Sequence, residues 1–405
     1  CLFTIPAYAA ERGQTARHLP SGRPITGQAS PACEPLDAAL DEFMTTIGAQ
    51  AATAAVAVEG RLVYSRGMGW MDKAKTRPTP PGAIVRIASC SKPITAAVVK
   101  KLSSEGLVKP ETRVCDYLGI QPYRGILGDP RWKDITVQQL LEHKGGFDRH
   151  RAGDPMFAMD EIRRELGLTG PVRPVDVIRY MLAKPLQFTP DERSEYSNFG
   201  YCLLGRVIEK ATGLTYVQCV ERDIARPLGI DDLILTRDEA AKRDPREVWY
   251  PVPDTFCVEV MDAHGGLATS APSLCKFLQA WWIDGRPRKS GENGAGTFFG
   301  SIPGETAMIL QRGRIQAAVL LNARRDAHFG DDNSRLLKSV ERAVRRVYPE
   351  IGGTQPHFTM PIAACCASHA AKRLPQHAGE NSFDPNSLTV WYAVARRRHG
   401  DWGHA

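Results

Sequence analysis

The chain has 405 residues, 43% hydrophobic and 24% charged, with 52 Lys and Arg against 45 Asp and Glu. This is an ordinary globular composition, long enough for one large or two medium domains with a sizeable core. The net charge of +7 is dispersed rather than gathered with aromatics into a basic stripe, which argues against nucleic-acid binding. No apolar run approaches a membrane span, so no transmembrane segment is expected.

The first residue is Cys1, and Leu2 to Ala10 read like the tail of a signal peptide with an Ala7-Tyr8-Ala9 cleavage site. Export to the periplasm or the exterior is therefore expected, with a cytoplasmic location as the alternative. Residues 1–34, the later part rich in Pro, Gly, Ser and Arg, read as a truncated signal-like leader and an unstructured linker. Leu36, Ala39, Leu40, Phe43, Met44 and Ile47 then mark a helix. Thr53 to Val58 and Arg61 to Arg66 read as a hairpin turning at Glu59-Gly60. From Ser91 to about Trp282 helical spacing dominates. It includes Thr136 to Lys144, closed by Gly145-Gly146, and the pair Asn198 to Ala211 and Thr215 to Arg226.

Strands return in a second hairpin, Thr306 to Arg312 and Arg314 to Asn322 around Gly313, and an amphipathic helix follows with Leu336, Leu337, Val340, Ala343, Val344 and Val347. Strands at both ends of a helical middle predict an α+β fold: one antiparallel sheet flanked by helices, with an inserted all-helical region. Residues 35–349 form the expected domain. Residues 350–405 lack periodicity and read as a poorly ordered tail. The ten cysteines show neither a C-x-x-C pair nor zinc spacing, and no metal or cofactor is implied.

Two stretches carry chemistry. In Arg86-Ile87-Ala88-Ser89-Cys90-Ser91-Lys92-Pro93-Ile94-Thr95, a serine is followed three residues on by a lysine, and Pro93 suits a helix's first turn. Positions i and i+3 of a helix are neighbours, so Lys92 would lie against the Ser89 hydroxyl and activate it. The same S-x-x-K pattern recurs at Ser273-Leu274-Cys275-Lys276, where Ser270, Pro272 and the apolar spacing mark an ordinary helix start. In the second stretch, Tyr196-Ser197-Asn198, a tyrosine beside a lysine-activated serine can shuttle protons, and an asparagine offers both donor and acceptor to a substrate amide. His143 and His264 read as structural, the latter because Gly265-Gly266 beside it suggests a backbone constraint.

These stretches, together with Ile135-Thr136-Val137-Gln138-Gln139-Leu140-Leu141-Glu142-His143, Phe199-Gly200-Tyr201 and Gly205-Arg206-Val207-Ile208-Glu209, occur in an order that resembles the serine β-lactamase-like superfamily of class C β-lactamases, DD-peptidases and related esterases. The resemblance covers roughly residues 36 to 349. It implies that Ser89 is the acylated nucleophile, Lys92 its activating partner, Tyr196 the general base or acid, and Asn198 a substrate contact. The family's third motif, Lys-Thr-Gly or His-x-Gly, aligns with Phe298-Phe299-Gly300-Ser301. Gly300 and Ser301 fit, with the Ser301 N–H as an oxyanion donor, but Phe298 stands where a cation or imidazole is usual. Arg312 or Arg324 could supply a charge instead.

The implied activity is acyl-enzyme hydrolysis of a small ester or amide. A β-lactamase or DD-peptidase proper, acting on a peptidoglycan-like substrate, is one alternative. A degenerate, non-catalytic ligand-binding member of the same fold is the other.

Overall fold

In Ala51–Val58, Ala52, Ala54 and Val56 enter one hydrophobic core while Ala51, Ala55 and Ala57 enter another. In Ile315–Leu321, Ile315, Ala317, Val319 and Leu321 join the first core and Ala318 and Leu320 the second. Strands with both faces apolar at a period of two must be covered on both sides, so the sheet sits in the middle of the molecule. The computed structural model describes residues 17–251, 257–347 and the short strand at 358–359. The signal-like residues 1–10, and the proposed tail apart from that strand, lie outside the described residues.

The large sheet contains β1 (Arg17–His18), β2 (Pro24–Ala29), β3 (Ala51–Val58), β4 (Arg61–Gly69), β8 (Ala295–Ile302), β9 (Glu305–Arg312), β10 (Ile315–Leu321) and β11 (Phe358–Thr359). Its order is β1-β2-β4-β3-β10-β9-β8-β11, and a smaller sheet of β5 (Val85–Arg86), β7 (Leu267–Thr269) and β6 (Ile234–Leu235) has the order β5-β7-β6. Pairing in the large sheet is antiparallel except where β11 runs parallel to β8. The two hairpins read from the sequence meet at the centre, where Leu321 pairs with Ala52 and Ile315 with Val58.

Five helices cover the two faces of the sheet: α1 (Pro35–Ile47), α2 (Ser91–Ser104), α3 (Asn198–Thr212), α4 (Ala271–Ala280) and α5 (Phe329–Val347). Leu36, Leu40, Phe43 and Met44 of α1 and Leu336, Val340 and Val344 of α5 share one core with the sheet. Leu274, Phe277 and Leu278 of α4 join the other core, which also contains the apolar residues of α2 and α3. The mostly helical middle is therefore an insertion between β4 and β8, as the strand pattern predicts, but it is not all-helical, because the small sheet of β5, β6 and β7 lies within it. The segment at Thr215 to Arg226 is less regular than its spacing suggests: an α-helix spans Tyr216–Val220, a π-turn follows at Glu221–Ala225, and a 3-10 turn starts at Arg226. Pro227 lacks the N–H that would continue an α-helical ladder.

The described part of the expected leader is a correction. Residues 17–29 form β1 and β2, and β2 pairs with β4 through Ile25↔Met68 and Thr26↔Gly67. Leu19, Ile25 and Cys33 are buried in the core shared with α1. At Gly27, where φ is 80°, a Cβ would lie 2.3 Å from the Ser65 carbonyl oxygen. The glycine that resembles linker composition is thus a close-packing position on a strand next to the edge of the sheet.

One buried ion pair ties α1 to this edge. Arg66 on β4 donates to Asp37 through Nε at 3.3 Å and Nη2 at 3.1 Å, and to the Gly27 carbonyl through Nη1 at 2.5 Å. Tyr64 donates to the same carboxylate at 2.7 Å. Removing one partner of a buried pair strands the other charge, which costs far more than the intact pair contributes. Asp37→Ala should lower unfolding free energy by about 3–5 kcal/mol in urea titrations, while kcat per folded molecule stays unchanged.

Candidate active site

The chain enters the site from β5. A 3-10 turn at Ala88–Cys90 leads directly into α2, so Ser89 precedes the helix and Lys92 lies in its first turn. Ala88 has φ of 39°, a left-handed conformation that costs a Cβ-bearing residue energy and persists only where the surroundings impose it. Those surroundings include β8: a Cβ at Gly300 would sit 2.0 Å from the Ile87 carbonyl oxygen and 3.0 Å from the Cys90 nitrogen. Only a residue without a side chain lets the strand lie this close to the turn. The Cys90 thiol also lies 3.9 Å from the Phe298 carbonyl oxygen.

Ser89 Oγ is bracketed by two polar groups. Lys92 Nζ donates to it at 3.2 Å and Tyr196 OH at 2.7 Å. Lys92 is fully buried, and its Nζ also donates to Asn198 Oδ1 at 2.7 Å and to the His264 carbonyl at 2.8 Å. Three acceptors match the three protons of an ammonium. Tyr196 and Asn198 arrive together because Ser197 caps α3, its hydroxyl accepting from the Gly200 N–H at 3.0 Å. The tyrosine just ahead of the cap and the asparagine at the first helical position then face α2.

Four of the six residues singled out from the sequence thus form one hydrogen-bonded cluster: Ser89, Lys92, Tyr196 and Asn198. Gly300 touches the nucleophile's turn. Ser301 follows it on β8, and its hydroxyl donates to the Glu305 carbonyl at 3.1 Å, bracing its own hairpin. Phe298 is buried in the core and brings neither charge nor side-chain hydrogen bond. Neither of the two arginines considered as substitutes is uncommitted. Arg312 bonds Glu341, Thr297 and the carbonyls of Gly296 and Gln311, and Arg324 pairs with Asp326. The second S-x-x-K motif is a helix start, as expected: Lys276 turns to the Gly229 carbonyl at 2.6 Å.

Three contributors carry no signal in the Ser-Lys-Tyr pattern. Asp154 accepts from Asn198 Nδ2 at 2.7 Å, and its place ahead of Pro155 marks only a helical cap. Arg149 holds its guanidinium 4.9 Å from the centre of the Tyr196 ring. His264 supplies a backbone carbonyl, which no side-chain motif can announce. Of the two glycines after it, Gly266 is the constrained one: a Cβ there would meet the Val258 carbonyl at 2.6 Å.

His143 is structural, in keeping with its reading. Its Nδ1 accepts from the Ser197 N–H at 3.2 Å, which leaves the proton on Nε2, and its ring lies 4.7 Å from that of Tyr196. Burial first, then Lys92 and Arg149, hold its pKa down to about 3. His264 is likewise pushed well below the usual imidazole range, by burial and then by Lys92. Both rings stay neutral beside the lysine.

An α+β fold whose helical insert brings Ser89, Lys92 and Tyr196 into contact beside an antiparallel sheet is that of the serine β-lactamase- and transpeptidase-like superfamily. The family model described as Beta-lactamase matches residues 36–295, and the chain belongs to that family. Esterase EstB of Burkholderia gladioli is 28% identical over 246 residues, covering 59% of this chain and 62% of that protein. The putative fimbrial assembly protein FimD, serogroup D, of Dichelobacter nodosus is 34% identical over 154 residues, or 38% and 36% of the two chains. The chain thus spans between 36% and 62% of the length of these curated relatives. Among solved structures, D-amino acid amidase from Ochrobactrum anthropi SV3 complexed with L-phenylalanine amide superposes with a TM-score of 0.58 at 20% identity, over 78% of this chain and all of that one (100%). At that identity the likeness establishes the fold.

The neutral His143 makes stability pH-dependent. Its folded pKa lies below the ordinary unfolded value, so its contribution is complete above about pH 6.5 and is lost as pH falls toward about 3, where the unfolded chain binds a proton that the folded one excludes. Between those limits it should steepen the fall by up to about 1.4 kcal/mol per pH unit. Urea unfolding of His143→Gln at pH 7 and pH 5 should show that much less pH dependence than the wild type.

Proposed function

We propose that this protein is a serine hydrolase that forms an acyl-enzyme on Ser89 and acts on small esters or amides. The observation that carries the reading is the placement of Ser89 Oγ between Lys92 Nζ at 3.2 Å and Tyr196 OH at 2.7 Å. A serine hydroxyl is a weak nucleophile until an adjacent group takes its proton. Here the proton has two short exits, and the lysine and tyrosine act as one base that shares protons.

In the reactive state the pair carries one proton fewer than ammonium plus phenol, and Ser89 Oγ attacks the substrate carbonyl carbon while its proton passes to that pair. The backbone N–H groups of Ser89 and Ser301 receive the oxyanion. Collapse breaks the bond to the leaving group, which takes the proton from Tyr196, and an acyl-Ser89 remains. Water then enters by the same proton route and releases the acid. Asn198 orients the substrate's acyl side.

The buried Phe298 supports a preference for uncharged substrates, because no cation stands at the third-motif position to hold a carboxylate. The second reading is a β-lactamase or DD-peptidase acting on peptidoglycan-like amides, and Arg149 beside Tyr196 is the observation in its favour. An exported location, read from the signal-like residues Leu2 to Ala10, is proposed under either reading. Among the described residues no helix is long and apolar enough to cross a membrane.

Three measurements test these statements. A fluorophosphonate probe should modify Ser89 and leave Ser273 untouched in mass-spectrometric mapping, and Ser89→Ala should lose both labelling and turnover. Lys92→Arg should fail nearly as badly as Lys92→Ala, since arginine keeps the charge but cannot take a proton. Full activity in Ser89→Ala would end the reading of Ser89 as nucleophile, whereas a wild-type protein that neither labels nor turns over any ester or amide would leave the non-catalytic binder. For the substrate class, kcat/KM for p-nitrophenyl butyrate should exceed that for nitrocefin by roughly ten- to a hundredfold, the value of one missing charge-assisted hydrogen bond. Faster nitrocefin hydrolysis would favour the β-lactamase reading.

A further inference from the structure

We propose that Asp154 is a positioning residue for this reaction, fixing which way the Asn198 side-chain amide points and thereby the seat of Lys92. The proposal rests on the acyl-transfer reading above. Asn198 is 2% exposed and joins two charged groups: Nδ2 donates to Asp154 Oδ2 at 2.7 Å, and Oδ1 accepts from Lys92 Nζ at 2.7 Å. An amide has nearly the same shape after a half-turn about its last bond, so packing alone does not choose between the two orientations. The charges at its ends do choose. A carboxylate can only accept and an ammonium can only donate. The reversed amide would set N–H against N–H at Lys92 and oxygen against oxygen at Asp154.

Asp154 is itself held by its other oxygen. Oδ1 accepts from the Met156 N–H at 3.1 Å and caps the 3-10 turn at Pro155–Phe157. One carboxylate thus spends one oxygen on its own loop and the other on the catalytic cluster. The amide nitrogen carries two hydrogens, and one remains for a substrate carbonyl after Asp154 has taken the other. Asp154 therefore prepares Asn198 for substrate while the amide oxygen keeps Lys92 aimed at Ser89.

Asp154→Asn tests this sharply. A carboxamide offers one oxygen where two are needed. If that oxygen keeps the Met156 cap, its NH2 faces the Asn198 NH2 and turns the Asn198 amide the wrong way for Lys92. Turnover of p-nitrophenyl butyrate should fall in kcat by roughly ten- to a hundredfold with KM little changed. The rate of fluorophosphonate labelling at Ser89 should fall in parallel. Asp154→Ser keeps a capping oxygen without the charge or the conflicting NH2, so it should fold normally and lose less activity.

The deciding readout is a double-mutant cycle. In an Asn198→Ala background, Asp154→Asn should have no further effect on kcat, because the residue through which it acts is gone. Independent, multiplying effects of the two substitutions would overturn the proposal. So would Asp154→Asn with a lowered Tm but wild-type kcat, which would leave only the loop cap. Failure of the probe to label Ser89 in the wild-type protein would instead overturn the acyl-transfer reading itself.

Discussion

Taking an ammonium group out of water costs several kcal/mol unless acceptors replace its lost hydration. Lys92 is completely buried, and the site is organised around meeting that demand. Its acceptors come from three places: the turn before α2, the start of α3, and the carbonyl of His264 ahead of β7. To bring them to one point, α2, α3 and the short helix at Asp262–Gly265 must pack in one arrangement. The Ser89 hydroxyl is one of those three acceptors, so the interaction that satisfies the buried lysine also fixes the serine proposed as nucleophile.

The electrostatics around the lysine are one-sided. Two imidazoles share its surroundings, and burial together with the lysine's own charge keeps both unprotonated. His143 thereby serves Tyr196 as a flat apolar neighbour and Ser197 as a hydrogen-bond acceptor. Beyond the lysine, the Asn198 amide that accepts from Nζ also donates to the Asp154 carboxylate.

Small residues make the close approaches possible. The alanines of β3 allow both faces of the central strand to be covered, and Gly300 lets β8 lie on the turn that carries Ser89. The left-handed Ala88 is held between that strand and α2. Ser89 therefore sits at the contact between sheet and helical insert, with the backbone of β8 close beside its turn.

Local pattern made much of this legible. Short strand-like runs around Glu59-Gly60 and Gly313 revealed the paired hairpins, helical spacing revealed α1, α2, α3 and α5, and Ser89, Lys92, Tyr196 and Asn198 stood out because each pair lies within one turn of chain. The edge strands at 17–29 escaped because a two-residue strand, and a six-residue strand containing Pro24 and Gly27, lack alternation and gain order only from β4. Asp154, Arg149 and the His264 carbonyl escaped for a related reason. Lys92 and His264 are 172 residues apart, and a carbonyl has no signature in a sequence. By itself the sequence determined which residues could be nucleophile, base and cap, since those roles depend on side-chain chemistry and short-range spacing. Only the tertiary structure decided which charges meet and which amide end faces which, because burial removes water as an alternative partner and leaves each polar group to the partners the fold delivers.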